Sequence, residues 1–157
     1  MIQPTIAGFK MGAILRQGSL GPVWKARDLA RNRFVELQPL PVEILESASR
    51  RGSFQKRIAA LVKVKHPHIA ALYDANVYGN LFYLVTEHVS ESSLFSWLTR
   101  GADNGIENVL AVGEAIASAL DHAWKTSGVT HGALTANCIF VTDDGVPKVA
   151  DLGLAEF

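Results

Sequence analysis

The sequence predicts an α+β fold, and three observations carry that prediction. The hydrophobic period changes near the middle of the chain, from the two-residue alternation of strands to the three-to-four-residue spacing of helices. Turn signals at Gln17-Gly18-Ser19, Ala30-Arg31-Asn32 and Tyr78-Gly79-Asn80 cut the first part into strand-length pieces. With 157 residues, 48% hydrophobic and 19% charged, the chain has the apolar material for a core and lacks the composition of a disordered segment.

Taken in order, Phe9 to Leu15, Pro22 to Asp28 and Arg33 to Leu40 carry alternating apolar positions and read as an antiparallel meander. Ser53 to Val64 places Phe54, Ile58, Leu61 and Val62 on one stripe, so a helix is expected, capped by Ser53 and stopped at His66-Pro67. Ala70 to Val77 and Leu81 to His88 are apolar runs joined at Tyr78-Gly79-Asn80, the pattern of a hairpin. Residues 1–89 thus form a first lobe of five strands and one helix, and Glu87 to Glu91 is the linker. In residues 90–157, Ser93 to Arg100 is a short helix. Glu107 to Thr126 is a longer one, with Val109, Leu110, Ile116, Ala119, Leu120 and Ala123 at helical spacing and Gly128 ending it. Cys138 to Val141 and Pro147 to Ala150 are short strands around the turn Asp143-Asp144-Gly145.

Lys and Arg total 15 against 15 for Asp and Glu, so no net field draws nucleic acid or an anionic membrane surface, and Arg50-Arg51 reads as a solvated face. The opening MIQPTIAGFK lacks the charged region and apolar run of an export signal, and no segment approaches the ~18 apolar residues of a membrane helix. A cytoplasmic domain is the expectation. Cys138, the one cysteine, has no partner for an internal disulfide and reads as a small buried hydrophobe.

The order of these segments resembles the eukaryotic-type Ser/Thr protein kinase domain, in a bacterial-like flavour, over the whole chain. IAGFKMGAILRQGSLGPVWKARD is similar to its first two strands and glycine-rich loop, FVELQPLP to its third strand, and KHPHIAALYD with LFYLVTEHV to its fourth and fifth. HGALTANCIFVTDDGVPKVADLG is similar to its catalytic loop and metal-binding turn, with Asp151-Leu152-Gly153 standing where D-F-G does. The resemblance implies a protein-kinase-like α+β fold: a five-stranded antiparallel N-lobe with one helix, then the first part of a mainly helical C-lobe.

The departures bear on function. Arg16 replaces the first of three glycines, while Gly18, Gly21 and Val23 remain. V-A-I-K becomes Val35-Glu36-Leu37-Gln38, so the phosphate-pairing lysine is Gln38, and the small residue flooring the adenine site is Glu36. A carboxylate in an apolar slot must be paired, protonated or desolvated, at a cost of roughly several kcal/mol. We expect Glu36 to face the cleft, near Val23 and Phe140. The helix glutamate of the family falls on Arg57. Two readings stay open for it: a cation bound to Asp151 or Glu36, or an exposed helix arginine. Lys25 reads as a solvated strand lysine. In H-R-D-L-x-x-x-N the general base falls on Ala133 and the metal amide on Cys138, with Asn137 one place too early. By resemblance, Gly18, Gly21, Val23, Glu87, Val89 and Phe140 line the degenerate cleft, and Asp151 is the residual metal ligand. One carboxylate without its amide partner makes a poor magnesium site.

These replacements predict a pseudokinase-like module that binds protein or regulates and does not catalyse. The alternative is a degenerate Ser/Thr kinase that keeps ATP binding, with residual phosphotransfer or nucleotide sensing; a plain stability remnant is a third reading. No cofactor is expected, ATP and magnesium binding weakly at most. The chain stops four residues after Gly153, so Ala117, Leu120, Trp124 or their neighbours should lose the cover a complete kinase supplies. The remainder of a longer chain, a protein partner or a second copy would cover them. Neither nucleic acid nor a membrane segment is expected.

Overall fold

Strand periodicity builds the first unit of the structure, a computed structural model that describes residues 3–40, 47–89, 92–100 and 105–157. The strands are β1 (Phe9–Gly18), β2 (Gly21–Asp28), β3 (Arg33–Pro39), β4 (Leu72–Tyr78) and β5 (Leu81–Glu87). They form one antiparallel sheet in the order β1-β2-β3-β5-β4. Alternation divides each strand between two faces. Trp24, Ala26, Val35, Leu37, Tyr83 and Val85 bury one face together with Ile6, while Val23, Glu36 and Gln38 take the other.

The β2–β3 turn is built around Asp28. Its carboxylate accepts the backbone N–H groups of Ala30 and Arg31, each at 3.1 Å, and pairs with Arg31 Nη1 at 3.2 Å. Burial alone would raise the Asp28 pKa, but these bonds and the Arg31 charge outweigh it and hold the group below the usual carboxylate range.

Helix α1 (Ala48–Leu61) starts earlier than the apolar stripe implies. Ser47, not Ser53, is the cap, its hydroxyl accepting Arg50 N–H at 3.1 Å. The first turn, ASRRG, is polar and exposed or half-buried, so it carries no periodic signal, and Ser53 lies inside the helix. The helix also ends before Val64, where the Val62 N–H turns to Ile58 and Ala60 carbonyls. Phe54 and Leu61 are its buried residues.

The compact units are Met1–Val62 with Leu72–His88 and Phe157, and Lys63–Ala71 with Val89–Glu156. In the second, α2 (Leu94–Thr99) is capped by Ser93 and α3 (Ile106–Ser127) ends at Gly128, whose φ of 65° suits a left-handed cap. Strands β6 (Ile139–Val141) and β7 (Pro147–Val149) form the expected hairpin. The His68–Ala70 backbone joins β7 through Val149 N–H to His68 O and Ala70 N–H to Val149 O. Of the expected linker, Ser90 and Glu91 lie outside the described residues. No helix among the described residues is long and apolar enough to cross a membrane.

Candidate functional site

The turn joining β1 to β2 brings the two retained glycines face to face, with Gly18 paired to Gly21, Gln17 to Pro22 and Arg16 to Val23. Gly18 lies tight against side chains of its own unit. A Cβ there would come within 2.6 Å of Gln38 Nε2, 2.8 Å of Val23 Cγ2 and 3.1 Å of Arg16 Nη1. Gln38 is buried and donates from Nε2 to the Gly21 carbonyl at 3.2 Å, tying β3 to the glycine turn. The close backbone approach that glycine permits is therefore used by protein atoms.

Glu36 is 2% exposed. Its Oε2 accepts from Arg16 Nη2 at 3.0 Å, and its Oε1 lies 3.5 Å from His88 Nδ1. A buried carboxylate needs such partners, and β1 and the end of β5 supply them. Sequence reasoning singled out Glu36 and noted Arg16 as a lost glycine, but did not join the two and did not name His88. The available signal was a new cation and a new buried anion two strands apart in one sheet. Expected as a solvated lysine, Lys25 is half-buried, opposite Glu36 in the register, with Nζ 5.3 Å from the Phe34 ring centroid. Arg57, on α1, is half-buried; Glu87 pairs with Val35 at the end of β5.

In the second unit, Val89 and Phe140 pack together with Ala150 and Ala70. The loop after α3 is organised by His131 and Cys138. Buried His131 donates from Nε2 to the Ala150 carbonyl at 2.9 Å and accepts at Nδ1 from Ala133 N–H at 3.3 Å. Ala133 itself is exposed. Cys138 is half-buried, a correction to its reading as a buried hydrophobe: its sulfur accepts Thr135 N–H at 3.0 Å and donates to Thr135 O at 3.1 Å. The reason is the turn Thr135–Cys138, whose backbone groups converge on the sulfur. Asp151 has a φ of 56° and is half-buried.

Burial by itself would lower the His131 pKa, but the hydrogen bond and charge of Cys138, the Ala150 carbonyl and Asp151 outweigh it and raise it. Burial likewise pushes the Cys138 thiol up, while His131 and Thr135 more than reverse the effect. His66 moves the other way, lowered first by burial and then by the charges of His122 and His68. A histidine raised on folding adds stability below its unfolded pKa and loses it as pH rises through the folded one. His66, being lowered, contributes stability above the unfolded value that is lost as pH falls through the folded value. Imidazole NMR titration should give a His131 midpoint above the usual ~6.5 and a His66 midpoint below it. Cys138→Ser should bring His131 down and leave His66 in place; an unmoved His131 would dissociate the pair.

The family model for protein tyrosine and serine/threonine kinases matches residues 9–157. A probable serine/threonine-protein kinase of Clostridium acetobutylicum is 28% identical over 148 residues, 94% of this chain and 22% of that protein. A putative CBL-interacting protein kinase 13 of Oryza sativa subsp. japonica is 29% identical over 154 residues, 97% of this chain and 30% of that protein. The serine/threonine-protein kinase PknD of Mycobacterium tuberculosis is 25% identical over 147 residues, 94% of this chain and 22% of that protein. The chain spans 20 to 22% of the length of the first two curated relatives it matches.

Proposed function

The chain belongs to the protein tyrosine and serine/threonine kinase family, and on that premise we propose that it acts as a catalytically inactive member, a pseudokinase module that works by binding protein. The observation that carries this reading is the Arg16–Glu36 ion pair beside the glycine turn, where Gln38 stands in for the phosphate lysine. The residues present do not fit a nucleotide. A buried carboxylate repels phosphates, and Gln38 offers its amide to the Gly21 carbonyl instead of a charge to an anion. The space beneath Gly18 is taken by protein atoms. Loss of a positioned base alone removes about a hundred- to ten-thousand-fold in rate, and Ala133 and Cys138 stand where the family keeps that base and a metal amide.

The same reading assigns residues 1–89 to an N-lobe and 90–157 to part of a C-lobe, and places the protein in cytoplasmic signalling. Melting in the presence of millimolar ATP and magnesium tests it. Unchanged stability together with no phosphate transfer to itself or to a generic basic protein is expected. A clear rise in melting temperature would favour the nucleotide-binding alternative, because ligand at a hundred times its Kd stabilises by about 2.7 kcal/mol.

A partner surface accompanies the proposal. On α3, Ile106, Leu110, Ala117 and Trp124 share one stripe; Ile106 is 71%, Leu110 64% and Trp124 59% exposed, while Ala119 and Ala123 bury the opposite side. Leu120 is half-buried. A stripe of this size is rarely left to water, and the rest of a longer chain or a second copy would cover it. The 157-residue chain is expected to self-associate at micromolar concentration in light scattering. Leu110→Glu with Trp124→Glu should return it to a monomer; a wild-type monomer would remove this surface from the reading.

A further inference from the structure

His66, Pro67 and His68 make a tight turn, closed by Ile69 N–H donating to the His66 carbonyl at 3.1 Å, with Pro67 where its fixed φ suits the turn. His66, His68 and, on α3, His122 are each half-buried. The His66 ring centroid lies 5.5 Å from that of His68 and 5.1 Å from that of His122. Three groups that take up protons near neutrality therefore meet in one contact.

The bonds around them need neutral rings. His66 Nδ1 accepts the His68 backbone N–H at 3.2 Å, so its proton sits on Nε2, which faces Ser118 Oγ of α3 at 3.5 Å. His68 Nδ1 donates to the Pro147 carbonyl at 2.9 Å and fastens the turn to β7. His122 Nε2 lies 3.4 Å from Thr126 Oγ1. A protonated imidazole has two donors and no acceptor. A proton on His66 Nδ1 thus breaks the bond from His68 N–H and places a charge beside two other imidazoles.

The charged groups on the surrounding elements do not compensate that charge from close by. A cavity of about 410 Å³ beside His66, His68 and Ser118 admits water, and among the described residues Glu114 is the carboxylate on its wall, itself exposed. On α3, Asp121 is exposed and held by Lys125 at 2.8 Å. Lys63 and Lys65, leading into the turn, are exposed cations, Lys148 follows Pro147 on β7, and Asp143 and Asp144 are exposed in the β6–β7 turn. The charges that act on His66 are those of His122 and His68.

We propose that His66, His68 and His122 form an acid-released latch between the 66–70 turn and α3: neutral rings pack and bond, and protonation drives them apart. Because the same turn joins β7 through Val149 N–H to His68 O and Ala70 N–H to Val149 O, release also loosens the strand that leads into Asp151. Burial first, then His122 and His68, lowers the His66 pKa, so the stability it contributes is complete above the unfolded ~6.5 and is lost as pH falls through the folded value. His131, raised on folding, acts in the opposite direction, and Asp28, lowered, titrates in a more acidic range. The latch does not depend on the pseudokinase reading.

Hydrogen exchange of the 157-residue chain, read by mass spectrometry and corrected for the intrinsic pH dependence of exchange, tests it. Between pH 7 and pH 5, protection of segments 66–70 and 146–150 should fall about tenfold, the effect of one pKa unit, while β3 and β5 keep theirs. His66→Asn retains a side-chain oxygen for the His68 N–H but takes up no proton, and should hold protection within about twofold over that range. His122→Gln removes the facing charge from α3 and should keep part of the protection the wild type loses. If His66→Asn is already less protected than wild type at pH 7, the His122→Gln comparison alone decides. No loss in the wild type, an equal loss in the wild type and the deciding variant, or a loss shared by β3 and β5 would each overturn the assignment.

Discussion

Glu36→Ala is expected to cost about 3 kcal/mol of folding stability, read by chemical denaturation, which corresponds to roughly 6–12 °C in Tm for a domain of this size. The change removes the carboxylate partner of Arg16, whose side chain is only 14% exposed, and opens a void at a position 2% exposed. Breaking one side of a buried pair typically costs about 3–5 kcal/mol because the remaining charge stays desolvated; the residual access of Arg16 to water sets the lower end. Removing both charges should behave differently. Arg16→Met with Glu36→Leu should lie within about 1 kcal/mol of the parent, since apolar replacements of a buried pair are often neutral or stabilising. A double-mutant cycle of Arg16→Met, Glu36→Leu and the two together then gives the coupling. A loss under about 1 kcal/mol in Glu36→Ala would mean that the pair is effectively solvated, and the argument that it blocks the site would lose its energetic basis.

The second large effect is on nucleotide affinity. Arg16→Gly, Glu36→Ala and Gln38→Lys together supply the third glycine, the small residue and the lysine that the resemblance implies at these positions. This triple variant should be stabilised by ATP and magnesium by about 2.7 kcal/mol at a hundred times its Kd, where the parent shows no shift. Of the single changes, Glu36→Ala should gain more than Gln38→Lys, since a lysine added beside Glu36 is drawn to that carboxylate before any phosphate. Phosphate transfer should stay absent, with Ala133 and Cys138 unchanged. A triple variant that ignores ATP in calorimetry would place the block elsewhere, and transfer by the parent would end the pseudokinase reading.

Much of this protein was legible in its residues because the signals are local. Alternation, the turns at Ala30-Arg31-Asn32 and Gly79-Asn80, and the apolar stripe of the long helix each report on a few neighbouring positions. The strand and helix order followed from them, to within a few residues at most ends. The helix start was the exception, since Ser47, Ser49 and Ser53 all offer a hydroxyl and the polar first turn carries no period. The replacements at Glu36, Gln38, Ala133 and Cys138 were equally plain, being identities at positions in a motif.

What no residue could report was which groups would meet. By itself the sequence determined the family and the order of strands and helices along the chain, and it put a carboxylate, Glu36, where the resemblance implies a small residue. The tertiary structure decided how that carboxylate is satisfied. Two register shifts in β1, between Met11 and Ile14 and between Ile14 and Arg16, set Arg16 opposite Val23 rather than opposite Gly21, where the register begun at Met11 would put it. One slip exchanges the faces of a strand and a second restores them, so the two shifts keep Arg16 on the face of Val23 and move it two residues along β2, a placement with no composition signal. The Arg16–Glu36 pair joins residues twenty positions apart across an intervening strand. It forms because burying one charge in a sheet is stable only when the sheet brings another to it.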